Sequence, residues 1–564
     1  MRNYVNRRDF LKTACLAAGV GLLPSGCASV ASSASRRPPN IVFILADDLG
    51  FMDVAAYAEH LTGTQRSAMF YETPHIDVLA DKGINFSQAY SMQLCSPTRA
   101  SLLTGRYHCK IGMTTAFYGA QRNPAPPPGY HVYDSPHGDP ITEQQAWNNS
   151  KVLATVPAGA PDDQGWNELC LPEMLTGYHS AFIGKWHVGG GGIQGYQPQD
   201  QGFSEVIWCN DAGGMPFWNW RREPGAEPET SYLTDGLTDL AVDYIQRQAQ
   251  TPDRPFFLNF WHFAVHLPLQ AKQEDIDYFS KKPTRGWNGH DDPIYAGMIK
   301  SLDDSVGRVV DALRQTGQLD NTVIVFMSDN GGKAFQGPTT NTPLREGKAF
   351  LCEGGVRVQL TFWQPGRFEG GRWTNVPAHC VDIFPTFAAL ANKSVRPNID
   401  GVSLLPLLED PSNRRKKVDP DRPLYWHYPF NVIWRDATMD LPLTPHSGMR
   451  KGDYKLIWDW HGRLQLFNIA KDISEKQDLS EVEPQRTLAL FRELVDWLDT
   501  NVERRYFPTP NPEYDAAKDK RPYPFRNLVK ELLGRTTPLG QPDAMGKNSG
   551  RIDLFKESVD VSDS

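Results

Sequence analysis

The sequence predicts an α/β protein: one large, mostly parallel sheet sandwiched by helices, followed by a smaller C-terminal α+β domain built on an antiparallel sheet. Three observations carry this. Four apolar runs, "NIVFILADD", "HSAFIGKWH", "RPFFLNFWHFAVHLP" and "NTVIVFMSDN", each pass abruptly into polar residues. Near-continuous β-branched and aromatic runs suit strands covered on both faces, as in parallel sheets. Helix-like stretches separate them, and that alternation builds a doubly wound sheet. After about residue 420 the texture changes to short alternating strands and one amphipathic helix.

The chain opens on "NRRDFLK" (Asn6–Lys12), followed by "TACLAAGVGLL", an apolar run too short to span a bilayer. A positive start, a modest apolar stretch and paired arginines predict a twin-arginine export signal over residues 1–31. The expected partner is the twin-arginine export machinery and the expected location is periplasmic. Cleavage after "SVA" at Ala31 is preferred to lipid attachment at Cys27, because the leucine of "LPSGC" sits one position too early. Residues 32–39 read as a linker, 40–420 as the large first domain, 421–505 as the smaller domain and 506–564 as an extended tail.

Within the first domain, "TPHIDVLADKG" predicts a helix with Thr73 as N-cap and Pro74 in its first turn. Tyr295 to Leu313 predicts another, with Met298, Leu302, Val306, Val309 and Leu313 on one stripe. Residues 110–170, rich in Pro, Gly, Asn and Asp, read as a long insertion forming a wall or lid. Hairpins are expected in "GMRKGDYKLIWDWHGRLQLFNI", turning around Asp459 to Gly462, and a helix in "EPQRTLALFRELVDWLDTNV".

With 564 residues, 40% hydrophobic and 22% charged, the chain can bury a large core. A net charge of -8 and a pI near 6.0 argue against a nucleic-acid partner. They leave room for an anionic small substrate, because a site can be basic inside an acidic protein. Of eight cysteines, Cys15 and Cys27 lie in the leader. Cys95, Cys109, Cys170, Cys209, Cys352 and Cys380 show no C-x-x-C spacing, against a zinc site or redox pair. Export leaves room for one or two disulfides among them.

Ligands of doubly wound sheets gather at the carboxyl ends of the strands. The polar clusters fall there: Asp47 and Asp48, Lys185 and His187, His266, Asp329 and Asn330. Singly, such pairs are ordinary turn and cap residues, and a lysine or histidine is ordinarily solvated or structural. Jointly, Asp47, Asp48, Asp329 and Asn330 offer a hard, oxygen-only donor set that suits a divalent cation, Ca2+ ahead of Mg2+, and the lack of histidine among them argues against zinc. Within "LCSPTRASLLTGRY", Ser96 as cap and Pro97 at the first position predict a helix whose N-terminal N–H groups face the site. Arg99 adds a fixed positive fork. A low-pKa cysteine nucleophile at Cys95 fits this description too.

"CSPTRASLLTGRY" resembles the signature of the type I sulfatases of the alkaline phosphatase superfamily. "NIVFILADDLG" and "SDNGG" resemble that family's two metal strands, "GKWHVG" its lysine and histidine segment, and "HLP" its leaving-group histidine segment. "LREGKAFLCEGGVRV" is similar to the segment holding a catalytic lysine, here Lys348; "VDIFPTFAALA" and "GDYKLI" match recurrent structural stretches. The resemblance implies an alkaline phosphatase-like fold and conversion of Cys95 to formylglycine by a maturation enzyme that reads Pro97 and Arg99. It implies a metal held by Asp47, Asp48, residue 95, Asp329 and Asn330. A hydroxyl of the hydrated aldehyde attacks sulfur, His266 protonates the leaving oxygen, and Lys185 and Lys348 hold the sulfate oxygens. His187 deprotonates the second hydroxyl, and Arg99 holds the diol. Departures are the insertion after Lys110 and "AFLC" before Glu353.

Export, abundant aromatics and the insertion point to a sulfated saccharide, with exo-type removal of one O-sulfate from a polysaccharide fragment. The alternatives are an arylsulfatase or a phosphonate or phosphate ester hydrolase of the same superfamily; the absence of a second, histidine-rich metal cluster favours sulfate. If Cys95 remains a thiol, a non-catalytic sulfated-glycan binder is the reading from another class. His427 reads as a core residue ahead of a substrate contact, and His262 and His379 as structural.

Overall fold

Asn40–Ala46 (β1) lies in the middle of an eight-stranded sheet, and all of its residues are buried. Ile41, Phe43 and Leu45 join the apolar cluster on one face; Val42, Ile44 and Ala46 join the cluster on the other. That two-sided burial is why the run is continuous rather than alternating. The computed structural model describes residues 37–116, 133–134, 168–189, 197–414, 417–429, 432–436, 441–443, 445–460, 463–503 and 506–510. The predicted export signal, most of the linker and insertion, and nearly all of the predicted tail lie outside the described residues.

The remaining strands of the sheet are Ile84–Phe86 (β2), His179–Lys185 (β3), Glu205–Asn210 (β4), Phe256–Trp261 (β5), Thr322–Ser328 (β6), Leu360–Trp363 (β7) and Arg372–Thr374 (β8). Their order across the sheet is β8-β2-β7-β6-β1-β5-β3-β4. Only β7 runs against its neighbours; every other pairing is parallel. The four polar-tipped runs of the sequence are the adjacent central strands β6, β1, β5 and β3, so their carboxyl ends lie side by side. This is an alkaline phosphatase-like α/β architecture.

The longer helices are Ala55–Thr62 (α1), Pro74–Lys82 (α2), Cys95–Thr104 (α3), Leu233–Gln248 (α4), Gln273–Ser280 (α5), Pro293–Gln315 (α6), Ile383–Leu390 (α7) and Pro484–Asn501 (α8). α1, α2, α4, α5 and α6 cover one face of the sheet; α3 and α7 cover the other. α6 bears out the predicted stripe: Met298, Leu302, Val306, Val309 and Leu313 are all buried. The Asp292 carboxylate caps it, accepting from the N–H groups of Ile294 (2.8 Å) and Tyr295 (3.1 Å). α2 starts at Pro74 as expected, but the Thr73 hydroxyl does not cap it; it donates to Asp77 at 2.9 Å.

A second sheet, antiparallel throughout, runs in the order Leu424–Tyr428 (β9), His446–Lys451 (β10), Tyr454–Asp459 (β11) and Arg463–Asn468 (β12). It carries α8 through Leu490, Phe491, Leu494 and Leu498, and all of these belong to the apolar cluster that also covers α3 and α7. Burying a side chain such as Phe491 stabilises by roughly 2–3 kcal/mol, so this sheet and the large one hold each other in place. Thr509–Pro510 pairs antiparallel with Tyr133–Asp134. Cys95, Cys109, Cys170, Cys209, Cys352 and Cys380 are free thiols, so no disulfide links them.

Candidate active site

Each central strand ends in a backbone turn that places its polar residues on the same side. Asp47 N–H donates to Ala264 carbonyl (2.9 Å), Asp329 N–H to Ala46 carbonyl (3.0 Å) and Val265 N–H to Asp47 carbonyl (2.7 Å), so the segments after β1, β5 and β6 are tied together. Asp48 and His187 take left-handed φ of 61° and 51°, a region that asparagine, aspartate and histidine tolerate best. The hydroxyl of Tyr295 on α6 fixes this turn, donating to the Asp53 carboxylate at 2.7 Å and reaching the Asp48 carbonyl at 3.3 Å.

α3 begins two residues earlier than the capping pattern predicts. Thr98 N–H donates to Leu94 carbonyl at 3.2 Å, so Leu94 is the cap and Cys95 the first helical residue. Pro97 still fits, because N–H groups in a first turn have no intrahelical acceptor. Ser96, freed from capping, places its hydroxyl 3.3 Å from His187 Nδ1. Every residue of α3 is buried.

The thiol of Cys95 lies 3.5 Å from Asp47 Oδ1, 4.0 Å from Asp48 Oδ1 and 3.5 Å from Lys348 Nζ. Lys348 reaches both oxygens of Asp48, at 2.6 and 2.7 Å. Lys185 pairs with Asp47 Oδ2 at 2.5 Å and also donates to the Gly213 carbonyl. Arg99 straddles Asp329 Oδ2 through Nε (3.1 Å) and Nη2 (2.8 Å), and its Nη1 donates to the Lys185 carbonyl at 2.8 Å. Its guanidinium also lies 5.1 Å from the Trp261 ring centre. His266 Nδ1 donates to the Leu267 carbonyl at 2.8 Å, which leaves Nε2 facing Asp48 Oδ2 at 3.6 Å. All ten residues predicted for the site thus come together around Cys95. Asp47, Cys95, Arg99, Lys185, His187, Asp329 and Asn330 are completely buried, while His266, at 9% exposed, is the outermost.

The electrostatics divide the carboxylates. Burial opposes ionisation of Asp48, but Lys348, His266 and Lys185 outweigh it and hold its carboxyl well below the usual range. Asp329 goes the other way: burial and then the neighbouring Asp47 carboxylate exceed the pull of Arg99 and Lys185. Burial also pushes the Cys95 thiol far up, despite Lys185 and Lys348. The low-pKa cysteine nucleophile allowed by the sequence therefore does not fit: the helix start and the lysines do not offset desolvation of a thiolate. Burial, then the charge of Lys348, pushes His266 down to about 3, so its imidazole is neutral at pH 7.

The donor set suits a hard cation. Asn330 Nδ2 donates to Asp48 Oδ1 at 2.8 Å, while Asn330 Oδ1 is buried with no hydrogen-bond partner. An orphaned amide oxygen beside three buried carboxylates is a ready ligand for such an ion. One ligand atom each from Asp47, Asp48, Cys95 and His266 also falls within 4.8 Å of the others, so a histidine lies nearer the acidic cluster than the sequence suggested.

Sequence reasoning overlooked Gly214: a Cβ there would lie 2.6 Å from His266 Nδ1, so only glycine lets this loop seat against the histidine. The paired glycines of "NDAGGMP" were the available signal. His262, His379 and His427 are fully buried and stand apart from the catalytic cluster. His427 is held between Ser447 Oγ (2.8 Å) and the Tyr506 carbonyl (2.9 Å).

Comparison with known proteins fits this geometry. The sulfatase family profile matches residues 39–393. The chain belongs to the sulfatase family. As a sulfatase it is a sulfuric ester hydrolase. It is 28% identical to a sulfatase of Formosa agariphila over 91% of this chain and 97% of that protein. It is 28% identical to human N-acetylgalactosamine-6-sulfatase over 80% of this chain and 77% of the relative. The crystal structure of Ps i-CgsB in complex with k-i-k-neocarrahexaose superposes with a TM-score of 0.63 at 29% identity, covering 88% of this sulfatase and 97% of that chain.

Proposed function

We propose that this sulfatase removes one O-sulfate from sulfated polysaccharide fragments in an exo fashion, using formylglycine formed from Cys95 and a bound Ca2+. The observation that carries the reading is the gradient of burial: a sealed floor of Asp47, Cys95, Arg99 and Asp329, with His266 at the rim. A small charged group fits at the floor and a bulky alcohol stays outside, beside the histidine. The saccharide class is supported by relatives named for N-acetylgalactosamine-6-sulfate and by a structural neighbour holding a carrageenan oligosaccharide.

Asp47, Asp48, Asp329, Asn330 and residue 95 would hold the cation, which supplies Lewis-acid stabilisation of sulfate charge when bound. Formylglycine, once made by its maturation enzyme, supplies a hydrated aldehyde in place of a thiol that burial keeps protonated. Lys185 and Lys348, fixed by Asp47 and Asp48, are placed to hold sulfate oxygens and to stabilise developing charge. Arg99 anchors the start of α3 to Asp329 and the end of β3. Leu267 fixes the tautomer of His266, so Nε2 points where the leaving oxygen departs. Burial is the larger cause of the histidine's depressed pKa and the lysine charges the smaller; the entering anionic ester offsets the lysine charges and so favours protonation of that nitrogen. His187, steadied by Ser96, is the base for the second half of the cycle.

Export through the twin-arginine pathway to the periplasm accompanies this reading, with a lipid anchor at Cys27 as the other form; activity in the periplasmic fraction of a twin-arginine-deficient host would contradict it. Sulfate release from defined sulfated saccharides and from an aryl sulfate tests the substrate class. Turnover of saccharides is expected, and turnover of the aryl ester alone would overturn it. His266→Ala should lower saccharide turnover by roughly 10²–10⁴-fold and nitrophenyl sulfate turnover far less, because nitrophenolate leaves without a proton.

A further inference from the structure

Three residues beyond Asn330, the chain carries a lysine that the reading above does not use. Lys333 follows Gly331 and Gly332, which pack backbone against backbone. A Cβ on Gly331 would meet Gly354 carbonyl at 1.8 Å, and one on Gly347 would meet Gly332 carbonyl at 2.3 Å. Lys348 N–H donates to Gly332 carbonyl at 3.1 Å. Lys333 and Lys348 therefore leave the same rigid glycine junction as neighbours. Gly337 N–H closes a tight turn back onto Ala334 at 3.3 Å, which fixes the far side of the segment.

The charge environment of Lys333 differs from that of every other cation at the site. Lys185, Lys348 and Arg99 each hold a carboxylate. Among the described residues, no carboxylate lies within ion-pair distance of Lys333, which is partly buried and whose charge is felt by Asp48 and Lys348. Asp47, Asp48 and Asp329 are taken up by Arg99, Lys185 and Lys348 and by the cation they would hold, so none is left to pair with Lys333. A sulfate monoester brings one negative charge, and Lys185 and Lys348 are already placed to receive it. A half-buried ammonium with no carboxylate partner, leaving the same glycine junction as Lys348, is left to meet something else on the substrate.

We propose that Lys333 is a specificity residue that recognises a second anionic substituent, a sulfate or a carboxylate, on the saccharide that carries the ester being cleaved. This rests on the saccharide-sulfatase reading, and it narrows the substrate class to fragments bearing more than one negative charge near the scissile bond.

The test compares two substrate pairs: a monosulfated disaccharide with its disulfated counterpart, and phenyl sulfate with phenyl sulfate bearing a ring carboxylate. In each pair the readout is the ratio of kcat/KM for the doubly over the singly charged ester. A charged hydrogen bond at a partly buried site corresponds to about a tenfold change, so Lys333→Gln should lower that ratio about tenfold and Lys333→Arg should restore most of it. In the wild type the ratio should also fall as salt rises, because exposed charges are screened over about 10 Å at 0.1 M. An unchanged ratio in Lys333→Gln, or an equal loss on both members of a pair, overturns the proposal. If the wild type cleaves the phenyl esters and neither disaccharide, the saccharide reading fails by itself, and the ratio for the phenyl pair still judges Lys333.

Discussion

Two buried ionic clusters lie along the segment from Lys348 to Arg357, and they are built differently. At its far end Glu353 accepts from Arg357 Nε (2.6 Å), Lys455 (2.9 Å) and the Tyr90 hydroxyl (2.9 Å), and its N–H donates to Glu475 at 2.8 Å. At its near end Lys348 joins Asp48, with Asp47 and Asp329 behind. Burial raises the pKa of both Glu353 and Asp329. For Glu353 it is outweighed by Lys455, Arg357 and Arg450, and the carboxyl falls well below its usual range. For Asp329 a second carboxylate adds to burial, and the carboxyl rises. The first cluster answers Glu353 with Lys455, Arg357 and Arg450 and ties β11 to the segment ahead of β7. Within it, Glu475 takes a left-handed φ of 50° and keeps Oε1 without a hydrogen bond. The second sets three carboxylates side by side so that Asp329 is pushed up, keeps an orphaned Asn330 oxygen next to them, and reaches the surface only at His266, as sites that bind something do.

The largest effect should separate the clusters most sharply. Cys95→Ala should lower turnover by about 10⁴-fold or more, because no nucleophile remains, while thermal unfolding stays near that of the parent. Lys455→Met should do the reverse. Removing one partner of a buried pair costs about 3–5 kcal/mol, read in a denaturant titration, while the folded fraction keeps its turnover. Equal losses of activity and stability in both variants would dissolve the distinction.

Filling the open cluster should stabilise the fold. Ca2+ at a hundred times its dissociation constant adds about 2.7 kcal/mol, seen as a higher unfolding midpoint after chelation and re-addition. Asp329→Asn should shrink that gain, whereas Lys455→Met should retain it. A Ca2+ response unaffected by Asp329→Asn would place the ion elsewhere.

The smallest effect concerns a histidine of neither cluster. Burial pushes His427 down to about 4, below its unfolded value near 6.5. The unfolded chain therefore binds a proton that the folded chain refuses, and this share of stability, full above pH 6.5, is lost as pH falls toward 4. Between pH 7 and 5 it amounts to roughly 2 kcal/mol. The wild type should lose that much more stability over this interval than His427→Gln; an identical pH dependence in both would show that His427 is not held neutral.

How much of this was legible follows from how local each signal is. The four central strands carried their own apolar runs and polar tips, so their adjacency and the convergence of Asp47, Lys185, His266 and Asp329 could be read from the chain. The start of α3 could not, because Ser96 and Pro97 satisfy a capping pattern that backbone pairing from Leu94 overrides. Lys333 carried no motif, and its role depends on a contact between Gly332 and Lys348. The Glu353 to Glu475 contact joins residues 122 apart in sequence, a distance no local pattern reports.

The most direct test of the central claim, that the open cluster works through a converted Cys95, is the mass of the proteolytic peptide containing residue 95, taken from a preparation that releases sulfate. The account predicts an aldehyde in place of the thiol, in a fraction that rises and falls with activity across preparations. Full sulfate release from protein whose residue 95 is entirely an unmodified thiol would contradict it.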